Sequence, residues 1–147
     1  MASGFRFRLE RFLEVRRAKE DLAQRELAAA SRAVQEETRR LTALLAEEEE
    51  SKRASRELRR GPLDLAALRL QEGYLGAVDR RVRASRERLL ELGRVEGEKR
   101  RALVEARKAV KVLERFRERK LAEWIQGTDR DERKVLDEAA HAGREGA

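Results

Sequence analysis

A seven-residue repeat of apolar side chains dominates the second half of the chain. Its positions are Leu68, Leu75, Val82, Leu89, Glu96, Leu103, Val110, Arg117 and Trp124, and seven of the nine are apolar. Positions three residues further on add Val78, Leu92, Ala106 and Leu113. A repeat held this long needs one continuous helix whose narrow apolar face packs against a partner helix. This geometry favours a scaffold, stalk or adaptor over an enzyme.

The first part of the chain has a looser seam of the same kind. Eight of its twelve seam positions are apolar. They are Leu13, Glu20, Leu27, Val34, Leu41 and Glu48, with companions at Leu9, Arg16, Ala23, Ala30, Glu37 and Leu44. The pattern predicts a first helix over about residues 7–59.

Gly61-Pro62 is the strong breaker between the two patterns. A turn at about residues 60–63 would let a second helix, about 64–126, fold back on the first. We therefore predict an all-α fold, a long antiparallel two-helix coiled-coil hairpin that forms a single domain over residues 1–147. Gly127 should end the second helix, and Thr128 with Asp129 should cap a short C-terminal helix, about 130–141, within the tail 127–147.

Folding at this turn would place residue i opposite roughly residue 123 minus i. Five of the six aromatic side chains then gather where the two termini meet, and Tyr74 lies near the turn. The five are Phe5, Phe7, Phe12, Phe116 and Trp124. Such a cluster can close the end of the hairpin, and it can also be a docking tip, because aromatic residues are enriched in interface hot spots.

The middle of the second helix is its weakest stretch. Gly93 and Gly97 interrupt good helix formers, while Glu96 and Lys99 occupy seam positions. Two interpretations stay open: a bend or hinge at residues 93–99, or a loosely packed layer whose polar groups reach solvent.

Composition supports a coiled coil. Charged residues make up 44% of the chain and aromatic residues 4%, with a net charge of +7. Acids are interleaved with the bases, which is typical of a solvated helical surface. The densest basic stretch, Arg80, Arg81, Arg83, Arg86 and Arg88, leaves nucleic-acid or acidic-lipid binding as an alternative. It has no aromatic platform and no groove-reading motif beside it, so we expect no nucleic-acid partner.

The sequence offers no catalytic, cofactor-binding or metal-binding residues. It has no cysteine and no phosphate-binding glycine loop, and its single histidine, His141, has no cysteine companion. A secretory signal and an apolar run long enough to span a membrane are also missing. We expect a cytoplasmic protein that is not an enzyme.

Both ends of the chain resemble the flagellar export protein FliJ family. The resemblance lies in residues 5–17 (FRFRLERFLEVRR), 20–28 (EDLAQRELA), 106–120 (ARKAVKVLERFRERK) and 131–140 (DERKVLDEAA). It implies a non-enzymatic component of the flagellar type III protein export apparatus. Members of that family form an antiparallel coiled coil similar to the central stalk of rotary ATPases. The YscO-type injectisome proteins are similar.

The resemblance also implies partners. These are the hexameric export ATPase FliI, the cytoplasmic domain of the export gate protein FlhA, and export chaperones. The protein would lie at the cytoplasmic face of the flagellar basal body, peripheral to the membrane through its partners only. No cofactor is implied.

Carried over by position, the resemblance gives two sets of partner-binding residues. The stalk tip for the ATPase ring would be Phe5, Arg8, Leu9, Phe12, Arg16, Glu20, Arg117, Lys120, Leu121 and Trp124. The surface facing the export gate would be Tyr74, Val78 and Arg81, although Val78 also falls on the predicted seam. The alternative functions are a generic coiled-coil scaffold and an injectisome stalk protein.

Overall fold

The computed structural model describes residues 4–146, and within that range it contains two long helices and no strand. Helix α1 spans Glu10–Leu58 (49 residues) and α2 spans Leu65–Glu145 (81 residues). The two helices pack against each other as a helical-hairpin coiled coil, which confirms the predicted fold class. Helix α1 begins three residues later than the pattern predicts, because residues 4–7 have no regular structure and residues 8–9 form a turn.

Contacts divide the described chain into two compact units. The terminal unit consists of the described residues up to Leu22 together with those from Val104 onwards, and the central unit is Ala23–Leu103. Each unit contains a stretch of both helices. That the chain forms a single domain stays a prediction.

The turn between the helices depends on a glycine and an aspartate. Gly61 has a φ of 97°, a left-handed conformation that suits glycine because it has no Cβ. Asp64 then caps α2, since its Oδ1 accepts hydrogen bonds from the amides of Ala66 and Ala67 at 3.1 and 3.2 Å. Pro62 therefore precedes the helix cap, and Asp64 fixes the start of the helix.

An apolar cluster holds the helices together in the central unit. Leu44, Val78 and Val82 form its buried centre, and Leu41 and Leu45 pack against it. All five come from the seam or its immediate flank. Each fully buried aliphatic side chain stabilises the fold by about 1.5–3 kcal/mol relative to its exposed state.

Hydrogen-bonded polar layers flank this cluster along the seam. On one side, Gln71 Nε2 donates to Ser51 Oγ at 2.9 Å and to the Ser51 carbonyl at 3.1 Å. On the other, the buried Ser85 hydroxyl donates to Oε1 of the buried Glu37 at 2.7 Å. Sliding one helix past the other would leave these buried groups unpaired, at a cost of about 1–3 kcal/mol each. The layers therefore specify the register of the pair.

The seam continues in the terminal unit, where Leu13 is fully buried and Phe7 and Val110 are nearly so. Ion pairs flank it. Arg17 meets Glu114 at 3.4 Å, and Arg107 meets Glu20 at 4.0 Å. Because these charges are partly exposed, each pair contributes about 0–1 kcal/mol. The buried apolar side chains supply most of the stability.

The predicted short C-terminal helix is wrong, because α2 continues without interruption to Glu145. Gly127 does not end the helix, and Thr128 does not cap a new one. The Thr128 hydroxyl instead donates to the carbonyl of Trp124, one turn earlier, at 2.9 Å, a bond typical of threonine inside a helix. A single glycine costs about 1 kcal/mol, which the good helix formers after it can offset. Residues 129–146 are exposed throughout.

Helix α2 also runs unbroken through residues 93–99. Both seam polar residues make ion pairs at the surface: Glu96 with Arg100 at 3.3 Å, and Lys99 with Glu26 at 3.2 Å. No residue of α2 between Val82 and Leu103 is a buried apolar one. These contacts agree with the interpretation of a loosely packed layer whose polar groups reach solvent.

We predict that Gly93→Ala and Gly97→Ala each stabilise the chain by up to about 1 kcal/mol, because alanine favours the helix and loses less backbone entropy on folding. A Cβ at either position would meet no atom within 4 Å. Urea unfolding followed by circular dichroism measures the change. Gly61→Ala is the matched control, and its left-handed φ should make the same substitution destabilising. A loss of stability at both residues 93 and 97 would contradict this account of the helix.

Candidate partner-binding site

Residues 4–9 lie against α2 through two aromatic pairs. Phe7 packs on Phe116 with ring centroids 5.7 Å apart, and Phe5 packs on Trp124 at 6.2 Å. Both pairs are tilted, at 57° and 55°, a geometry worth about 0.5–1.5 kcal/mol beyond the area buried. The two phenylalanines thus fasten the segment before α1 onto the second helix.

Cationic side chains surround these rings. The guanidinium of Arg117 lies 5.6 Å from the centroid of Phe5, while its Nε donates to Glu10 Oε2 at 3.0 Å. Lys120 and Arg119 lie 5.5 and 5.8 Å from the centroid of Phe116. Cations at these distances are attracted to the electron-rich ring faces. The aromatic cluster therefore has a positive rim.

The first groove of the terminal unit opens beside the aromatic cluster, with a volume of about 410 Å³. It is lined by Phe5, Arg6, Phe7, Arg8, Leu9, Phe116, Lys120 and Trp124. Trp124 is 38% exposed, so its ring is partly packed and partly accessible to a partner. The lining contains three cations and no acid.

A second groove, about 430 Å³, runs between α1 and α2 in the same unit. Its lining consists of Leu9, Phe12, Arg16, Ala109, Val112 and Leu113. Phe12 is 63% exposed, and Val112 is exposed as well. Leu9 lines both grooves. Together they offer apolar floors with cations at their edges, which suit apolar side chains of a partner that carries acids beside them.

The structure brings together most of the predicted tip residues. All ten lie in the terminal unit. Phe5, Arg8, Leu9, Lys120 and Trp124 line the first groove, and Leu9, Phe12 and Arg16 line the second. Arg117 does not line a groove but contacts the ring of Phe5, which does. Glu20 pairs with Arg107, and Leu121 is half-buried and lines neither groove.

The predicted site omitted groove-lining residues that the structure reveals. Phe7 and Phe116 were expected in the aromatic cluster, and the hairpin register was the signal that paired them. Arg6, Ala109, Val112 and Leu113 also line the grooves. Val112 lies off the seven-residue repeat, so the apolar pattern contained no signal for it.

The predicted gate-facing residues have different surroundings in the central unit. Val78 is 0% exposed and belongs to the apolar cluster, so it cannot touch a partner while the helices remain packed. Tyr74 is half exposed, and its hydroxyl donates a hydrogen bond to Glu47. That hydrogen bond raises the pKa of Tyr74 above its ordinary value, while the nearby positive charge of Arg81 lowers it. Arg81 is exposed.

The fold and site define a helical-hairpin coiled-coil protein with shallow, positively edged apolar grooves in its terminal unit. Within residues 4–146, no three histidine, aspartate or glutamate side chains are grouped so as to hold a metal ion. The described helices also contain no stretch with the length and apolar character needed to cross a bilayer.

Comparisons with known proteins agree with this class. The chain resembles the structure of a protein described as a YscO homolog, CT670, from Chlamydia trachomatis, with a TM-score of 0.57 at 20% sequence identity over 94% of each chain. No curated protein matches the sequence. Residues 5–144 match the family model described as Flagellar FliJ protein. The chain therefore belongs to the FliJ family, and this membership supports a component of type III secretion or flagellar export.

We predict that Phe7→Ala destabilises the terminal unit by about 2–3 kcal/mol, because Phe7 is 8% exposed and its removal leaves a cavity beside Phe116. Phe12→Ala is the matched control and should change stability by less than about 0.5 kcal/mol, since Phe12 is mostly exposed. Urea unfolding followed by the fluorescence of Trp124, the single tryptophan, measures both. Equal effects would contradict the buried position of Phe7.

We also predict that Tyr74, the single tyrosine, ionises with a midpoint above its ordinary pKa. Ionisation removes the proton that Tyr74 donates to Glu47 and places two negative charges side by side, so the neutral form is favoured. Absorbance at the tyrosinate band during an alkaline titration measures the midpoint. Glu47→Gln should move the pKa of Tyr74 down, Arg81→Gln should move it up, and Glu50→Gln should leave it unchanged. A midpoint insensitive to Glu47→Gln would contradict the hydrogen bond.

Proposed function

We propose that this chain is a non-enzymatic, stalk-like component of the flagellar type III export apparatus, which binds the hexameric export ATPase through its terminal unit. The observation that supports it most is the FliJ family match over residues 5–144. The proposal gives the two grooves lined by Phe5 and Phe12 a role as the contact surface for the ring.

The chemistry of the grooves supports such a contact. Exposed Phe12 and half-packed Trp124 are the kind of aromatic anchors that dominate binding energy at interfaces. Arg8, Arg16 and Lys120 edge the same grooves and would attract acidic groups of the ring. Because Phe7 and Phe116 are packed together, the segment that presents these groups is held in place before any partner arrives, which reduces the entropy lost on binding.

A stalk that binds one state of the ring more tightly than another shifts the ring toward that state. Stimulation of ATP turnover then requires only differential affinity, with no catalytic group from the stalk. The same proposal includes the export gate protein, contacted through the surface of Tyr74 and Arg81, and export chaperones. It places the protein at the cytoplasmic face of the basal body, attached to the membrane through its partners.

We predict that the wild-type chain stimulates ATP hydrolysis by the intact cognate ATPase ring, and that Phe12→Ala with Trp124→Ala raises the concentration needed for half-stimulation at least about tenfold. Truncation of one aromatic hot spot costs about 2 kcal/mol or more, roughly thirtyfold in affinity, so the loss of either side chain would exceed this threshold. Phosphate release at increasing concentrations of the chain measures the effect.

Leu70→Ala with Leu90→Ala is the matched control, because both leucines are highly exposed and lie in the central unit. This variant should stimulate like the wild type. Circular dichroism must show that both double variants remain folded. A ring whose ATPase activity ignores the wild-type chain would leave the generic coiled-coil scaffold as the better function.

A further inference from the structure

A small groove in the central unit lies between α1 and α2, away from the terminal grooves in sequence. Its volume is about 250 Å³, and it is lined by Glu37, Arg40, Arg81, Ala84, Ser85 and Arg88. Three arginines and one glutamate therefore line the same groove. Arg40 comes from α1, whereas Arg81 and Arg88 come from α2.

The carboxylate in the groove is already engaged. Oε1 of Glu37 accepts the hydrogen bond from Ser85 at 2.7 Å, and Oε2 lies 4.0 Å from Arg88. Among residues 4–146, neither Arg40 nor Arg81 forms an ion pair with an acid. The groove thus has an excess of positive charge, and its exposed arginines can donate hydrogen bonds to a partner.

Two of the groove's arginines are spaced so that they could contact successive turns of a neighbouring helix. Arg81 and Arg88 are seven residues apart, so they lie on one side of α2 about 10.5 Å from each other, at 1.5 Å per residue. Arg40 faces them from α1 across the groove. In coiled coils, charges at this spacing beside the seam pair with opposite charges at the same spacing on a neighbouring helix. Arginine forks also bind carboxylates through paired hydrogen bonds.

Acidic residues next to these arginines in the sequence favour a partner whose negative charges are separate from one another. Asp79 pairs with Arg83 at 3.1 Å, and Glu36 and Glu87 adjoin the groove in sequence. These acids interrupt the run of positive charge along both helices, which weakens the attraction for a continuous phosphate backbone. The lining has only Ala84 as an apolar side chain, too little for insertion into a lipid surface. It has no aromatic ring on which a base could stack.

We propose that the groove of Arg40, Arg81 and Arg88 binds a helix of a partner protein that carries acidic side chains at seven-residue spacing. This inference deepens the proposed gate-facing role of Arg81, since it names the chemistry that such a partner needs. It does not depend on the ATPase contact of the terminal unit, and its test involves neither the ring nor the gate.

The experiment uses a fluorescein-labelled, alanine-rich helical peptide of three heptads with glutamate at every seventh position. A second peptide has the same composition with its glutamates on different faces. Fluorescence anisotropy at low salt measures binding to the full chain. The aligned peptide should bind at least about tenfold more tightly than the rearranged one, and Arg40→Gln with Arg81→Gln should remove that advantage.

Arg25→Gln with Arg69→Gln is the matched control, because both arginines are exposed in the same unit and lie outside the groove. It removes the same charge and should retain the preference for the aligned peptide. Equal binding of the two peptides, or an equal loss in both double variants, would show a diffuse charge effect and overturn the proposal. Stronger arginine-dependent binding of a single-stranded oligonucleotide, of phosphatidylserine vesicles or of a second copy of the chain would also overturn it.

Discussion

The stability of each helix depends on the other, because neither can keep its apolar side chains from water alone. Charged residues make up 44% of the chain, and the apolar ones are concentrated on one narrow face of each helix. The polar layers of Gln71 with Ser51 and of Ser85 with Glu37 permit one register of these faces. The groove of the central unit depends on that register, because its lining comes from both helices.

The same constraint explains how partner-binding surfaces arise without a conventional core. Two packed helices leave a groove on each side of their seam. Phe12 and the aliphatic side chains around it make the interhelical groove of the terminal unit apolar, while arginines make that of the central unit cationic. The two surfaces therefore differ in the chemistry that they can recognise, although the backbone beneath them is the same.

Much of the fold was predictable because a seven-residue repeat reports directly on burial. The repeat predicted both helices and their antiparallel pairing, and Gly61-Pro62 located the turn. The prediction that α2 ends at Gly127 was wrong, because the good helix formers after this glycine outweigh its local cost. The site was less predictable. Val112 lines a groove only because of how the two helices pack against each other. Arg40 likewise shares a groove with Arg81 and Arg88 only once two stretches distant in sequence lie side by side.

The hairpin turn also sets a sequence of events in folding. Contacts beside Gly61, such as Arg59 with Glu72, join residues 13 apart, whereas Arg117 and Glu10 are 107 apart. Closing the longer loop directly costs about 2 kcal/mol more in chain entropy. A chain that pairs first at the turn and then extends the pairing outward avoids that cost. The aromatic grooves, whose walls come from stretches far apart in the sequence, would then be the last part of the hairpin to assemble.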